Sequence, residues 1–144
     1  MTQLKLLQSP PQPWTARRVP KSGADLRILV VDDNPNGALA LAAYLSLDGI
    51  ECRTAFSGRE AVLAGTKWRP HIILMDVSMP GCNGFDAARA LRRDPRTLDI
   101  AIIAYTALDE AEVRRHLEGD EFDGYLQKGR TLAMLVDLVT TFTQ

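Results

Sequence analysis

Cysteine is scarce in this sequence. Cys52 and Cys82 are the only two, and they show neither metal-ligand spacing nor a disulfide framework. They read as free thiols of a reducing compartment. Long apolar runs are missing as well: nothing approaches the roughly 18–20 residues of a membrane span. The N-terminus lacks the apolar core of a signal peptide, so a cytoplasmic protein without membrane association is expected. Net charge is almost absent, −1 by formal count, which removes any global reason to expect nucleic acid as a partner. No G-x-G-x-x-G follows the first apolar run, which disfavours a dinucleotide-binding enzyme. What remains is 144 residues, 46% hydrophobic and 24% charged. That suffices for one domain with an ordinary core.

The near-neutral total hides an asymmetry. Residues 1–25 carry Lys5, Arg17, Arg18 and Lys21 against Asp25 alone, about +3, which leaves the rest near −4. The same stretch holds Pro10, Pro11, Pro13 and Pro20 and little periodicity. It reads as a flexible or extended leader before a domain over residues 26–144. Leu4, Leu6, Leu7 and Trp14 are its candidates for docking on the domain or a partner.

The domain is organised around Ile72-Ile73-Leu74-Met75-Asp76. Four apolar residues cut off by a carboxylate, with Pro80 four positions later, predict a strand buried on both faces with Asp76 at its carboxyl end. In open α/β sheets that edge is where ligands bind. Arg27-Ile28-Leu29-Val30-Val31 predicts a first buried strand ending in Asp32-Asp33, and Asn34-Pro35 caps and opens a helix to about Asp48. That helix has no charged residue from Asn36 to Leu47. Leu39, Ala42, Ala43 and Leu47 lie off the face carrying Ala40, Leu41, Tyr44 and Leu45. Such a helix is either buried on both sides or presents a docking surface.

Residues 50–55 alternate as an edge strand. Ser57 with Glu60 forms a capping box for a second helix to about Trp68. Asn83-Gly84 opens a third helix to Arg93, residues 100–104 form a fourth strand finishing at Tyr105-Thr106-Ala107, and a polar helix spans Asp109 to Leu117. A fifth strand ends in Lys128, and Thr131 caps a last helix to about Phe142. Five strands alternating with five helices predict a doubly wound α/β fold, a parallel sheet covered on both faces.

Asp32-Asp33, Asp76, Thr106 and Lys128 all fall at carboxyl ends of strands and therefore on one edge. Three converging carboxylates repel unless a cation intervenes. A hard divalent ion such as Mg²⁺ answers that need, and an added ammonium and hydroxyl suit a phosphoryl group. An ionised Asp76 can attack phosphorus without a general base, giving an aspartyl phosphate.

The ordered pattern Asp32-Asp33, Asp76-Val77-Ser78-Met79-Pro80-Gly81, Thr106-Ala107 and Tyr125-Leu126-Gln127-Lys128 resembles the receiver domain of bacterial two-component response regulators. It is most similar to receivers found with hybrid histidine kinases. The resemblance covers about residues 26–143 and implies a flavodoxin-like sheet of order 2-1-3-4-5. It implies Asp76 as phosphoacceptor, with Asp33 binding Mg²⁺ directly and Asp32 through water. The Ser78 backbone carbonyl would complete the protein ligands. Lys128 and Thr106 would meet the phosphoryl oxygens. Tyr125 would be the aromatic that moves with Thr106, and the fourth helix, fifth strand and fifth helix the switching face. The implied partners are a histidine kinase or histidine phosphotransfer protein, docking on Leu39 and Ala43 of the uncharged helix, and an unknown downstream protein.

Two departures stand out. A proline usually follows the lysine, often after a cis bond, and Gly129 stands there. A cis bond before a non-proline residue costs about 2.5–4 kcal/mol, so a trans, looser lysine loop is expected. Glu121 occupies a place where a small residue is common, with Gly119 two residues early, so the exit of the fourth helix departs from the pattern. With no output domain after the last helix, the expected function is a single-domain regulator acting through protein–protein contact or phosphate relay, not an enzyme beyond its own phosphorylation and dephosphorylation. The competing reading is a receiver-shaped binding module independent of phosphorylation. A phosphatase with an Asp nucleophile is disfavoured because Ser78 stands where a second acid is usual. His71 and His116 have no partner spacing.

Overall fold

The computed structural model describes residues 11–19, 25–79 and 83–144. Among them, ten elements alternate: β1 (Arg27–Val31), α1 (Pro35–Ser46), β2 (Glu51–Ala55), α2 (Gly58–Trp68), β3 (Ile72–Met75), α3 (Gly84–Arg93), β4 (Ala101–Thr106), α4 (Glu110–Arg115), β5 (Gly124–Gln127) and α5 (Leu132–Thr141). The strands form one parallel sheet in the order β2-β1-β3-β4-β5, the order that the family resemblance implies.

Period-two alternation splits each central strand between two cores. Leu29, Val31, Ile73, Met75, Ile102 and Ala104 face α2, α3 and α4, where Ala61, Phe85, Leu91 and Val113 pack against them. Ile28, Val30, Ile72, Leu74 and Ile103 face α1 and α5, against Leu41, Leu45, Leu135 and Leu138. All four residues of β3 are buried, as an apolar run without polar interruption requires. β2 alternates exposed and half-buried residues until Ala55, because it lies at an edge.

The helix starts follow the side chains expected to cap them. Asn34, Ser57, Asn83, Asp109 and Thr131 each accept a backbone N–H three residues on, satisfying donors that a helix start leaves open. At Ser57 the hydroxyl also reaches the Glu60 carboxylate at 3.4 Å. One alternative is decided and one expectation shifts. In α1 the buried residues are Ala38, Leu41 and Leu45, and Ala40 is exposed. The helix is therefore buried on one side only, and Leu39, Ala43 and Leu47 face outward. α4 is shorter than the residue 109–117 span, ending at Arg115.

Glu121 explains that early end. Its carboxylate accepts the backbone N–H groups of Glu118 at 2.8 Å and Gly119 at 2.6 Å, and the Arg89 Nε at 3.2 Å. Burial works to raise its pKa, but these bonds prevail and hold the carboxyl below its ordinary value. A depressed carboxyl contributes stability above the unfolded-state value and loses it as pH falls through the folded one. Glu121→Gln should therefore cost about 1–3 kcal/mol at pH 7. Urea titrations from pH 7 to 3 should show a smaller loss of stability in the variant than in the wild type.

Of the leader expected over residues 1–25, residues 11–19 lie against the domain without forming helix or strand, and Trp14 docks. Leu4, Leu6 and Leu7 lie outside the described residues. The Trp14 N–H donates to the Asp123 carbonyl at 2.7 Å and the Val19 N–H to the Phe142 carbonyl at 2.8 Å. Trp14 packs on one core and Val19 is buried in the other. The segment thus passes round the β5 edge, which would otherwise present unpaired backbone groups.

Candidate functional site

Register alone brings the acidic groups together. Val31 of β1 pairs with Met75 of β3, so Asp32 and Asp76, each one residue further, emerge side by side. The ladder continues through them: the Asp32 N–H bonds the Ala55 carbonyl and the Asp76 N–H the Val31 carbonyl, both at 3.0 Å. Their carboxylates are consequently rooted in the sheet and nearly buried, 8% and 7% exposed. Asp33 is exposed. One carboxylate oxygen from each of Asp32, Asp33 and Asp76 lies within 4.8 Å of the other two.

Lys128 supplies the cation that this cluster needs. Thr106 pairs with Gln127, and the Lys128 N–H bonds the Thr106 carbonyl at 2.8 Å, which fixes the root of the lysine at the same edge. Its Nζ donates to Asp32 Oδ2 at 2.5 Å and to Asp76 Oδ2 at 3.1 Å. Burial alone would lower the lysine pKa. The two carboxylates outweigh that and raise it above the ordinary value. Gly129 follows with φ +95° in a trans linkage, a left-handed conformation that glycine adopts without strain. The lysine loop is trans as expected, yet Lys128 is tied by its backbone and both carboxylates.

The remaining oxygens are partly satisfied by turns. Asp32 Oδ1 accepts the Asn34 N–H and Asp76 Oδ1 accepts the Ser78 N–H, both at 3.0 Å. Ser78 therefore sits beside the Asp76 carboxylate, with its own side chain exposed. Pro80 and Gly81 lie outside the described residues. Thr106 closes β4, fully buried, its Oγ1 accepting the Leu108 N–H at 3.4 Å. Tyr125 stands apart from the carboxylates. Its hydroxyl donates to the Leu108 carbonyl at 2.6 Å. Burial first, then Asp109 and Glu110, raise its pKa, so it remains a neutral donor. Leu39, 54% exposed, and Ala43 lie on the outward face of α1.

Two contributors escape sequence reasoning. Gly84, the first residue of α3, is held so close to the end of β3 that a Cβ there would lie 2.4 Å from the Asp76 carbonyl oxygen and 2.7 Å from the Val77 Cα. The Asn83-Gly84 pair signals a helix start and says nothing of this approach. The other is Asp123, fully buried, which accepts from Thr15, Arg17, Arg92 and the Ile102 N–H. It anchors the leader, and its only trace in the sequence is an acid beside a strand.

The residues fit a hard divalent cation. Three carboxylate oxygens converge, two of them in a nearly dry setting where their charge demands compensation. Among the described residues, no helix is long and apolar enough to cross a membrane.

Comparison with known proteins agrees with this geometry. The response regulator receiver domain family matches residues 28–140. Protein PilH of Pseudomonas aeruginosa is 39% identical over 84 residues, 58% of this chain and 69% of PilH. The sensor histidine kinase RcsC of Salmonella typhimurium is 33% identical over 130 residues, 90% of this chain but 14% of the length of RcsC. Among solved structures, the response regulator TrrA of Thermotoga maritima, in complex with Mg²⁺ and BeF, is 32% identical with a TM-score of 0.73, covering 81% of this chain and 98% of TrrA. Sequence match, strand order and the acidic edge agree: the chain belongs to the response regulator receiver domain family.

Proposed function

We propose that this chain is a phosphoacceptor signalling domain that takes a phosphoryl group on Asp76 from a histidine kinase or histidine phosphotransfer protein. The observation that carries the reading is Lys128 Nζ bridging Asp32 and Asp76 beside Asp33. In the reaction an Asp76 carboxylate oxygen bonds to phosphorus as the phosphorus–nitrogen bond to the donor imidazole breaks, its electron pair returning to the ring nitrogen. Asp32, Asp33, Asp76 and the Ser78 backbone carbonyl would hold Mg²⁺, which when bound neutralises charge on the phosphoryl oxygens. Lys128 supplies the fixed positive charge, and the buried Thr106 hydroxyl is the donor for a phosphoryl oxygen. No residue need act as general base, because the attacking group is already an anion. The product signals by protein–protein contact or passes its phosphoryl group on.

Intact mass after incubation with a small phosphodonor and Mg²⁺ tests this. The wild type should gain one phosphoryl group that depends on Mg²⁺, and Asp76→Asn should gain none. A modification that persists in Asp76→Asn would reject the assignment.

The donor is expected to dock on the outward apolar face of α1. Leu39 is 54% exposed there, in the half of α1 nearer the acidic edge, whose first turn Asn34 caps. Leu39→Glu or Ala43→Glu should slow transfer from a cognate kinase at least about tenfold while leaving small-donor phosphorylation intact. Equal loss with both donors would remove α1 from the docking role.

A further inference from the structure

The leader segment rests on a face that is wired to the acidic edge. Trp14 stacks on Tyr125, ring centroids 5.8 Å apart and planes 11° from parallel. The Arg114 guanidinium of α4 lies 4.1 Å from the centre of the same Trp14 ring. Trp14, Tyr125, Arg114 and Pro11 border a cleft of about 530 Å³ that extends to Gln127 and Arg130. Inward from the stack, the Tyr125 hydroxyl holds the Leu108 carbonyl, and the Leu108 N–H is held by Thr106 Oγ1. One residue, Leu108, therefore connects the buried hydroxyl at the acidic edge to the ring beneath Trp14.

The rest of the segment is anchored independently. Thr15 Oγ1 and Arg17 Nε donate to Asp123 Oδ1 at 2.7 and 2.9 Å, and Val19 is buried against α5. Those contacts do not pass through Thr106 or Leu108. The segment thus has a fixed half, residues 15–19, and a half ending at Trp14, whose backbone N–H is tied to the Asp123 carbonyl while its indole ring rests on Tyr125.

We infer that residues 11–14 are an internal ligand of the α4–β5 face, and that phosphorylation of Asp76 loosens it. This rests on the reading of Asp76 as the phosphoacceptor. A phosphoryl group at Asp76 offers new oxygens to the Thr106 hydroxyl. Drawing Thr106 toward them stretches its bond to the Leu108 N–H, already long at 3.4 Å. Leu108 then shifts, Tyr125 loses its acceptor, and the ring under Trp14 moves. Residues 15–19 stay clamped on Asp123, so the segment hinges open instead of leaving, and the face becomes free for a partner. Linkage makes the effect reciprocal: removing the Trp14 contact must favour the phosphorylated state by the same factor.

The test uses the full chain carrying Trp68→Phe, which leaves Trp14 as the single tryptophan. Beryllofluoride with Mg²⁺ is the probe, its binding followed by fluorine NMR and Trp14 by emission and acrylamide quenching. Loading should move Trp14 emission to longer wavelength and increase quenching. Trp14→Ala should tighten beryllofluoride binding by about fivefold or more. Loading with unchanged Trp14 emission would overturn the coupling while leaving the phosphoacceptor reading in place. Emission already that of a solvated indole before loading would overturn the docking. Failure to load would reject the phosphoacceptor reading, and the coupling with it.

Discussion

Gly84→Ala should unfold this domain more readily and misplace its central carboxylate, although helix propensity argues the other way. Alanine is better than glycine in a helix by about 1 kcal/mol. The new methyl, however, would sit 2.4 Å from the Asp76 carbonyl oxygen and 2.7 Å from the Val77 Cα. Both are backbone atoms, and the Asp76 N–H is tied to β1 at 3.0 Å, so no side chain can swing aside. The overlap should cost about 1–3 kcal/mol net, as other insertions into packed interiors do. It should show as a lower urea midpoint at unchanged slope. Because an error of about 1 Å in a reacting group can cost about a hundredfold in rate, phosphoryl incorporation should fall more than the loss of stability explains. Gly37→Ala is the control. There a Cβ meets nothing closer than 3.7 Å, and the change should be neutral or slightly stabilising.

Lys128→Met should have the second large effect, and the size of its stability loss depends on Mg²⁺. The substitution leaves Asp32 and Asp76, 8% and 7% exposed, without the ammonium they share. Removing one partner of a fully buried pair costs about 3–5 kcal/mol. The lysine side chain is 30% exposed, so solvent screening reduces the expected loss to about 1–2 kcal/mol. Adding Mg²⁺ should recover much of it, since a cation bound only to the folded state stabilises by mass action. Phosphorylation should not recover. Loss of one fixed positive group at a reacting centre costs about 10²–10³-fold in rate, and mass spectrometry at saturating Mg²⁺ would measure it. A variant as stable as the wild type without Mg²⁺ would mean that the bridge carries no load.

Much of the fold was legible because each strand ends in a change of chemistry. The β3 run stops at Asp76, and β1 stops at Asp32. Once the strands are parallel, equal offsets past Val31 and Met75 place those carboxylates together. Helix starts were equally local, written by Asn34, Ser57, Asn83, Asp109 and Thr131. The failures were all matters of approach between distant segments. A helix without charge is compatible with burial on both sides or one, and only the packing of α1 left Leu39 and Leu47 outward. A glycine after asparagine reads the same whether or not another backbone lies against it.

The sequence by itself determined the alternation of strands and helices, and which groups reach the acidic edge. Those depend on residue order and on a side-chain period that any strand obeys. Only the tertiary structure decided that Glu121 closes the exit of α4, that Gly129 turns left-handed while Lys128 still bridges both carboxylates, and that Trp14 lies on Tyr125. Trp14 and Asp123 are separated by more than a hundred residues, and no local propensity couples such positions. Their contact exists because the β5 edge, Asp123 and the leader meet once the sheet is complete.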